Sequence, residues 1–260
     1  TISNTNENAG YNSGDINNDG ILDSTQPNVA STTTGGGITT GIEVSSACQL
    51  LTALGSSSAG TDPNYNYPEG FTSYQLTCGV VSPLQTATIS LYYETTLTST
   101  AGIVLRKYDG SSFVTIPNVA LSIINIGGAN VLKATYNVTD NGPLDTNATA
   151  GIIVDPVGLG ITNVNWSVSS QTVSETVGTI TVTANIPAAI LQAVDITYII
   201  GGTATGGTDY TTPATLLLTI PAGQTSVSKV ITILDDGTFE STDTLTFTLS
   251  SVTNAAIGTS

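Results

Sequence analysis

Apolar and polar residues alternate along most of the chain, in short segments separated by Gly, Pro, Asn and Asp. The alternation is clear in two segments. In the first, every second residue is apolar at Ala87, Ile89, Leu91 and Tyr93, and in the second the apolar residues are Leu245, Phe247 and Leu249. A period of two places successive side chains on opposite faces of a strand. Threonine fills the other parity in the second segment, as strand propensity favours. The pattern predicts an all-β fold.

Turn residues divide this pattern into smaller units. Arg106–Pro117 is predicted to form a hairpin that turns at Asp109-Gly110, and Ile123–Tyr136 a second hairpin that turns at Gly127-Gly128. Helical spacing occurs only weakly, around Ala47–Leu54. The Pro- and Gly-containing stretch 155–160 lies between two alternating blocks and predicts a domain boundary near residue 160.

Length and charge limit the classes of function. A chain of 260 residues is long enough for two ordinary domains, and no apolar run approaches the roughly 18 residues of a membrane-spanning helix. Four Lys+Arg against 19 Asp+Glu give a net charge of -15. This charge repels nucleic acid and anionic membranes and attracts cations. We therefore expect no nucleic acid partner and no membrane insertion.

Cys48 and Cys78 are the two cysteines of the chain. A disulfide between them would add about 3–4 kcal/mol of stability for a loop of this length, and two buried thiols in a strand-rich core are the alternative. The disulfide, together with the Thr-, Ser- and Asn-rich and Lys-poor composition, favours an extracellular or cell-surface location. The chain contains no Met, from which we expect a processed or excised segment.

The stretch GDINNDGILDS, residues 14–24, has oxygen-bearing side chains at alternate positions and a glycine where a tight calcium loop turns. It resembles the first nine positions of EF-hand-type loops and the loops of thrombospondin type 3 repeats and dockerins. Position twelve is Gln26 and not the bidentate Glu of an EF-hand. We expect a bound Ca²⁺, with a solvated turn as the alternative. The predicted ligands are Asp15, Asn17, Asp19 and Asp23.

Residues 161–260 resemble the Calx-β family, a β-sandwich of the extended immunoglobulin-like kind. Four blocks carry the resemblance: Val173–Ala184, Gly201–Tyr210, Ile220–Asp236 and Phe239–Ser250. Calcium-binding members bring carboxylates from separate loops together at one end of the sandwich. A degenerate, metal-free acidic turn is the alternative. The matching positions here are Glu175, Asp209, Asp235, Asp236, Glu240 and Asp243.

Calx-β modules usually end in one further strand, which has no counterpart after Ser260. An unpaired edge is a template for another chain. We expect Thr1–Glu7 of one copy to complete the sandwich of the preceding copy, in a tandem repeat or by strand donation between subunits. Glu7, with Asn4 or Asn6, would then add oxygens to the metal site. A disordered N-terminus is the alternative.

The preceding part of the chain resembles the bacterial surface-protein domains described as choice-of-anchor type U. The motifs are Asp19–Ser31, Pro68–Val80, Arg106–Phe113 and Val138–Pro156. The resemblances imply two immunoglobulin-like β-sandwich domains in tandem: residues 28–160 and 161–260, preceded by a donor segment and calcium loop in 1–27. A third ion site is an open alternative to Asx turn caps at Asp140, Asp145, Asn147 and Asp155.

No His is present, so the commonest general base is missing, and we expect no enzyme. The leading interpretation is an extracellular structural protein that uses Ca²⁺ as its cofactor and associates head to tail with copies of itself. It would form a subunit or repeat of a surface filament, sheath or adhesin stalk. The alternative is an adhesive module for a glycan or a host or cell-surface protein, supported by the tyrosines of Asp62–Phe71.

Overall fold

A computed structural model describes residues 4–8, 11–33, 39–45, 48–56, 60–79, 85–235, 237 and 242–258. The predicted all-β class is confirmed, because antiparallel sheets make up most of the described chain. No helix in this part has the length and apolar character that a membrane crossing requires. The helical elements are α1 (Asn4–Asn8) and 3-10 turns at Tyr11–Ser13, Asp23–Thr25 and Glu175–Val177.

The strands are numbered in chain order. The first ten are β1 (Val29–Thr33), β2 (Thr39–Val44), β3 (Cys48–Ser56), β4 (Tyr65–Asn66), β5 (Phe71–Cys78), β6 (Thr86–Glu94), β7 (Ile103–Tyr108), β8 (Phe113–Thr115), β9 (Ala120–Ile126) and β10 (Ala129–Thr139). The others are β11 (Ile152–Trp166), β12 (Thr179–Asn185), β13 (Val194–Gly202), β14 (Leu217–Ile220), β15 (Ser226–Thr232), β16 (Leu245–Val252) and β17 (Ala256–Ile257).

The chain separates into two compact units. The first contains Thr1–Asp62 and Tyr67–Gly160, and the second contains Pro63–Asn66 and Ile161–Ser260. The change between units falls within β11, so the Pro- and Gly-containing stretch that predicted a break is part of a continuous strand. Gly158 is required there by packing, since a Cβ at this position would lie 2.9 Å from Cε2 of Phe71.

In the first unit, two sheets enclose the main core. One sheet has the strand order β1-β2-β6-β10-β9, and the other contains β3, β5 and β11, with β7 paired to β11 and β8. The apolar face predicted on β6, from Ala87 to Tyr93, is buried in this core. Ile153 and Val157 of β11 belong to the same core. Alternation along each strand therefore produces a β-sandwich with a dry interior.

Both predicted hairpins are confirmed. Tyr108 pairs with Phe113 across the first turn, where the Asp109 carboxylate accepts hydrogen bonds from the amides of Ser111 and Ser112. Ile126 pairs with Ala129 across the second. The two intervening glycines have φ of 56° and 92°, the positive values that a two-residue type I′ turn needs.

The weak helical spacing around Ala47–Leu54 does not correspond to a helix. Ala47 lies outside the described residues, and β3, from Cys48 to Ser56, pairs antiparallel with β5. Eight residues of apolar spacing cannot separate a buried strand from a helix. The ladder with β5, closed by the Cys48–Cys78 disulfide (S–S 2.01 Å), decides the conformation.

The second unit has its own, smaller core between β12–β15 and the three-stranded sheet β14-β13-β16. Tyr198 and Leu249 are buried in it, and Phe247 packs against it from the same face of β16. The Trp166 indole meets the rings of Tyr198 and Phe247 edge-on, at centroid distances of 5.9 and 6.3 Å. The face predicted for β16 is therefore directed at the core.

Candidate functional site

The predicted calcium loop is fastened to the first unit by one apolar side chain. Ile16 is 1% exposed and lies against Gly41 of β2, where a Cβ would be 2.2 Å from Ile16 Cγ1. Tyr92 and Val131 complete the pocket on the outer face of the five-stranded sheet. Only glycine fits beneath Ile16 at position 41, so the sequence positions the loop on a rigid sheet.

The exposed part of the loop wraps around its own carboxylates. Asp15 accepts hydrogen bonds from the amides of Asp19 (3.0 Å) and Gly20 (2.9 Å), and Asp19 accepts from the amide of Ile21 (2.8 Å). Gly20 has φ of +84°, a conformation that favours glycine. The Gln26 amide donates to Asp19 Oδ1 at 3.2 Å. The oxygens therefore converge on the loop interior, where N–H groups occupy them.

Asp23 is the buried member of the set, with no solvent exposure. Its carboxylate accepts from the amide of Ile16 at 3.1 Å and from the hydroxyl of Ser31 on β1. Burial raises the pKa of Asp23 to about 6; the hydrogen bonds oppose this shift, and the charges of Asp15 and Asp19 add to it. The negative charges of Asp15 and Asp19 therefore disfavour the charged form of Asp23.

Glu7 joins this acidic region from α1. It is 7% exposed, and burial followed by the charge of Asp23 raises its pKa. The segment predicted as strand-like is helical over Asn4–Asn8. Gly14 packs against this turn, since a Cβ there would be 2.8 Å from Cα of Asn8, and Ser24 donates to the Asn8 side chain at 2.7 Å. Glu7 therefore lies beside the predicted calcium loop of its own chain.

The acids predicted for the second unit lie on separate turns. Asp236 and Glu240 fall outside the described residues. Glu175 begins a 3-10 turn, the Asp209 carboxylate accepts from the amide of Thr205 at 2.6 Å, and Asp235 accepts from the amide of Gly237 at 3.0 Å. Each of these last two carboxylates thus stabilises its own turn.

Backbone hydrogen bonds bring those turns to one end of the second unit. The amide of Ile233 donates to the Gly178 carbonyl at 3.0 Å, and the amide of Leu234 donates to the Asp209 carbonyl at 2.9 Å. Thr244, which follows Asp243, exchanges hydrogen bonds with Thr203. Across the described parts of both units, no group of three or more His, Cys, Asp or Glu is arranged to hold a metal.

The residues of the third candidate site are mostly turn caps. Asp140 accepts from the amide of Gly151 at 2.7 Å, and Asp145 accepts from the amides of Asn141, Asn147 and Val154, each at 2.9 Å. The alternative of Asx capping therefore accounts for these side chains. Asp155 lies apart from them in the main core.

Sequence reasoning missed the environment of Asp155. This carboxylate is fully buried and pairs with the ammonium of Lys107, itself 4% exposed, at 3.2 Å. The hydroxyls of Tyr136 and Tyr74 donate hydrogen bonds to its second oxygen, Oδ2, at 3.0 and 3.2 Å. The alternation along the two strands could have indicated this burial. Lys107 continues the buried series of Ile103 and Leu105, and Asp155 lies between the buried Ile153 and Val157.

The tyrosine segment 62–71 is held by internal contacts. Tyr67 donates to Asp62 at 2.6 Å, and Asp62 pairs with the guanidinium of Arg106 at 3.1 Å. The Tyr67 ring stacks on Phe113 at 5.4 Å and lies 4.8 Å from Phe71. Tyr67 therefore closes an aromatic cluster within the first unit.

Comparison of the chain with protein-family models, with curated proteins and with solved structures found no match in any of the three. The Calx-β and choice-of-anchor resemblances therefore remain predictions from the motifs.

Proposed function

We propose that this chain is an extracellular structural protein, a calcium-stabilised β-sandwich subunit or repeat of a surface filament, sheath or adhesin stalk. One observation carries the proposal. The predicted calcium loop is anchored to the first unit at two buried residues, with Ile16 against Gly41 and the Asp23 carboxylate on Ser31 of β1. An ion in this loop would therefore stabilise the loop and the sheet beneath it.

The charges of the loop explain why the ion would be Ca²⁺. Carboxylate and carbonyl oxygens are the ligands of this hard cation, which takes six to eight of them. Asp15, Asp19 and Asp23 lie close enough for their charges to interact, and Asp23 acts on Glu7. A divalent cation converts this repulsion into attraction. The cation would replace the backbone N–H groups that donate hydrogen bonds to these carboxylates in the structure.

Self-association would use the edge of the three-stranded sheet in the second unit. β16 lies at one end of the order β14-β13-β16, and an edge strand offers unpaired N–H and C=O groups to another chain. The proposed donor is the N-terminal segment of the next copy. Because Asn4–Asn8 is helical, donation requires this single turn to unwind and to leave its contacts with Ser24 and β1.

Calcium titration of thermal unfolding tests the metal. We expect Ca²⁺ to raise the Tm of the full chain, by an amount equivalent to about 2.7 kcal/mol at a concentration of 100 Kd. Asp15→Asn with Asp19→Asn should abolish the shift. Asp195→Asn is the matched control, because this exposed acid on β13 lies outside both candidate centres. A chelator that leaves the Tm of the wild type unchanged contradicts the proposal.

Electron microscopy and sedimentation test the assembly. The full chain with Ca²⁺ is expected to form head-to-tail oligomers or filaments, and deletion of residues 1–8 is expected to abolish them. The deleted protein must keep its cooperative unfolding transition, since α1 also packs on β1. Oligomers of unchanged size after the deletion would exclude this segment as the donor.

A further inference from the structure

The buried pair of Lys107 and Asp155 has the arrangement of two reactants. Lys107 lies on β7 and Asp155 on β11, two strands that pair with each other. The lysine Nζ is 3.2 Å from Asp155 Oδ1, and the two side chains are 4% and 0% exposed. Leu105, Ile153 and Val157, each two positions away along the same strands, belong to the main core. An amine and a carboxyl are thus held together without water, the condition in which positioning replaces a bimolecular encounter.

Each group is also oriented by further contacts. The Lys107 ammonium donates to the Leu144 carbonyl. Asp155 Oδ2 accepts hydrogen bonds from Tyr136 and Tyr74, whose hydroxyls are 2.7 Å apart. Asp155 Oδ1 contacts the Lys107 ammonium at 3.2 Å and has no other polar partner in the described part of the chain. The carboxyl therefore directs one oxygen at the amine and holds the other between two donors.

Burial favours the neutral forms of this pair. It raises the pKa of the Asp155 carboxyl, although the charge of Lys107 and the hydrogen bonds oppose the shift. Transfer of one proton from the ammonium to Oδ1 gives a free amine and a carboxylic acid. An uncharged pair costs less to keep in an apolar core than two ions do. These neutral forms are the ones that condense.

We propose that Lys107 and Asp155 condense to an intramolecular isopeptide bond that joins β7 to β11. The amine lone pair attacks Cγ, forming the N–C bond, and negative charge develops on Oδ2, where Tyr74 and Tyr136 donate hydrogen bonds. Oδ1 then leaves with its bonding electrons. It takes one proton from the first transfer and a second from the attacking nitrogen, and departs as water. The amide nitrogen keeps one hydrogen, and no oxidant, reductant or other reactant is consumed.

Mass spectrometry of the full chain tests the bond directly. After reduction of the disulfide, the intact mass is expected to fall short of the sequence mass by one water. The chain has four tryptic sites, at Arg106, Lys107, Lys133 and Lys229. An amide at Lys107 blocks one of them, so digestion should yield peptide 107–133 joined to peptide 134–229, with fragment ions that place the link at Lys107 and Asp155.

Three variants define the chemistry. Lys107→Met should restore the full mass and release peptide 134–229, whereas Lys133→Met, which removes another lysine, should keep the link. Because the first variant disturbs the core, Tyr74→Phe with Tyr136→Phe provides a second test. It removes only the two hydroxyls and should lower the linked fraction at matched times after synthesis. Tyr92→Phe, which removes a hydroxyl bonded to Glu43 instead, should leave that fraction unchanged.

Two results would overturn the proposal. The first is a wild-type chain of full mass that yields separate peptides 108–133 and 134–229. The second is a chain short by one water that yields the same separate peptides, because the dehydration would then lie elsewhere, for example in a succinimide at Asp109-Gly110. A linked fraction that is the same in the double tyrosine variant as in the wild type would remove the role of the two hydroxyls.

Discussion

The two units of this chain obtain their order by different means. Among the described residues, the main core of the first unit contains twenty buried side chains, and the core of the second contains nine. The described ion pairs, Arg106–Asp62 and Lys107–Asp155, are both in the first unit, as is the disulfide. The first unit thus adds specific polar and covalent links to its hydrophobic burial.

The second unit leaves more of its apolar surface in water. Leu191 is 90% exposed, Val230 59% and Ile199 57%. Its polar contacts are mostly between threonine and serine hydroxyls on exposed strand faces, such as Thr183 with Ser228, and such contacts stabilise little in water. Single polar substitutions should therefore be costly in the first unit and nearly neutral in the second.

The largest effect is expected from Asp155→Ala. This change leaves the buried Lys107 side chain without the carboxyl that pairs with it and with which it would condense, and should lower the free energy of unfolding by at least about 3–5 kcal/mol. Asp195→Ala is the matched change in the second unit. Its carboxylate is exposed and accepts one hydrogen bond, from Thr219 at 2.7 Å, so its removal should cost no more than about 0.5 kcal/mol. Urea denaturation measures both.

Two spectroscopic probes distinguish the unfolding of the two units. Trp166 is the single tryptophan of the chain and packs in the second unit, while circular dichroism reports on the strands of both. If the units unfold independently, Asp155→Ala shifts the transition seen by circular dichroism and leaves the Trp166 fluorescence transition in place. Equal losses for the two alanine variants would contradict the proposed difference between the units.

The next largest effect is expected from removal of the disulfide. Cys48 lies directly opposite Cys78 on β3 and β5, 30 positions apart in sequence. Replacing both with Ala removes the cross-link that restricts the unfolded chain, so the free energy of unfolding should fall by about 3–4 kcal/mol. Reductant should lower the urea midpoint of the wild type to that of the double variant and leave the variant itself unchanged. A double variant whose urea midpoint equals that of the oxidised wild type would contradict the expectation.

Period-two alternation predicted the strands and hairpins because each follows from a local rule. Side chains alternate between faces, and two glycines with positive φ make the turn before β10. The loop of residues 15–23 was equally local, since Gly20 and the alternating oxygens lie within one short stretch. The pattern did not predict that Ile16 would pack on Gly41, because that contact depends on tertiary structure. In the sequence, its one trace is a glycine within β2 that the alternation does not explain.

Local rules failed where a residue serves a distant partner. The turn residues of 155–160 indicated where the units change, after Gly160, but not that Gly158 makes room for Phe71 in a continuous strand. Asp155 suggested a calcium ligand because it follows other acids in sequence, whereas strand pairing directs it into the core beside Lys107. Charged residues on the buried parity of β7 and β11 carried this information. They can be interpreted only once the register of the two strands is known.

A buried carboxylate in the first unit sharpens the contrast with a smaller effect. Glu69 is 8% exposed, and its Oε2 has no hydrogen-bond partner among the described residues. The hydroxyl of Tyr93 and that of Thr40, which lies opposite Tyr93 on β2, are buried in the same unpartnered state. Burial raises the pKa of Glu69 above its usual 4.5, and the charge of Glu94 adds to the shift. The folded state therefore holds the Glu69 proton more tightly than the unfolded chain does.

The sign of the pH dependence follows from that difference. Below about pH 4.5 the carboxyl is protonated in both states, so Glu69→Gln and the wild type should be equally stable. As the pH rises, the unfolded chain loses its proton first, and the wild type loses stability until the folded carboxyl also ionises. At pH 7 the Gln variant should therefore be more stable, by about 1–2 kcal/mol for a buried unpartnered group.

Urea denaturation of both proteins from pH 4 to pH 8 measures the effect, and Glu94→Gln serves as the control. Glu94 is exposed, so its replacement removes only the repulsion that it exerts on Glu69 and should give a smaller gain over the same pH range. A Gln variant that is less stable than the wild type at pH 7 would mean that the Glu69 carboxylate has a stabilising partner. In that case its burial would add to the polar links of the first unit instead of weakening them.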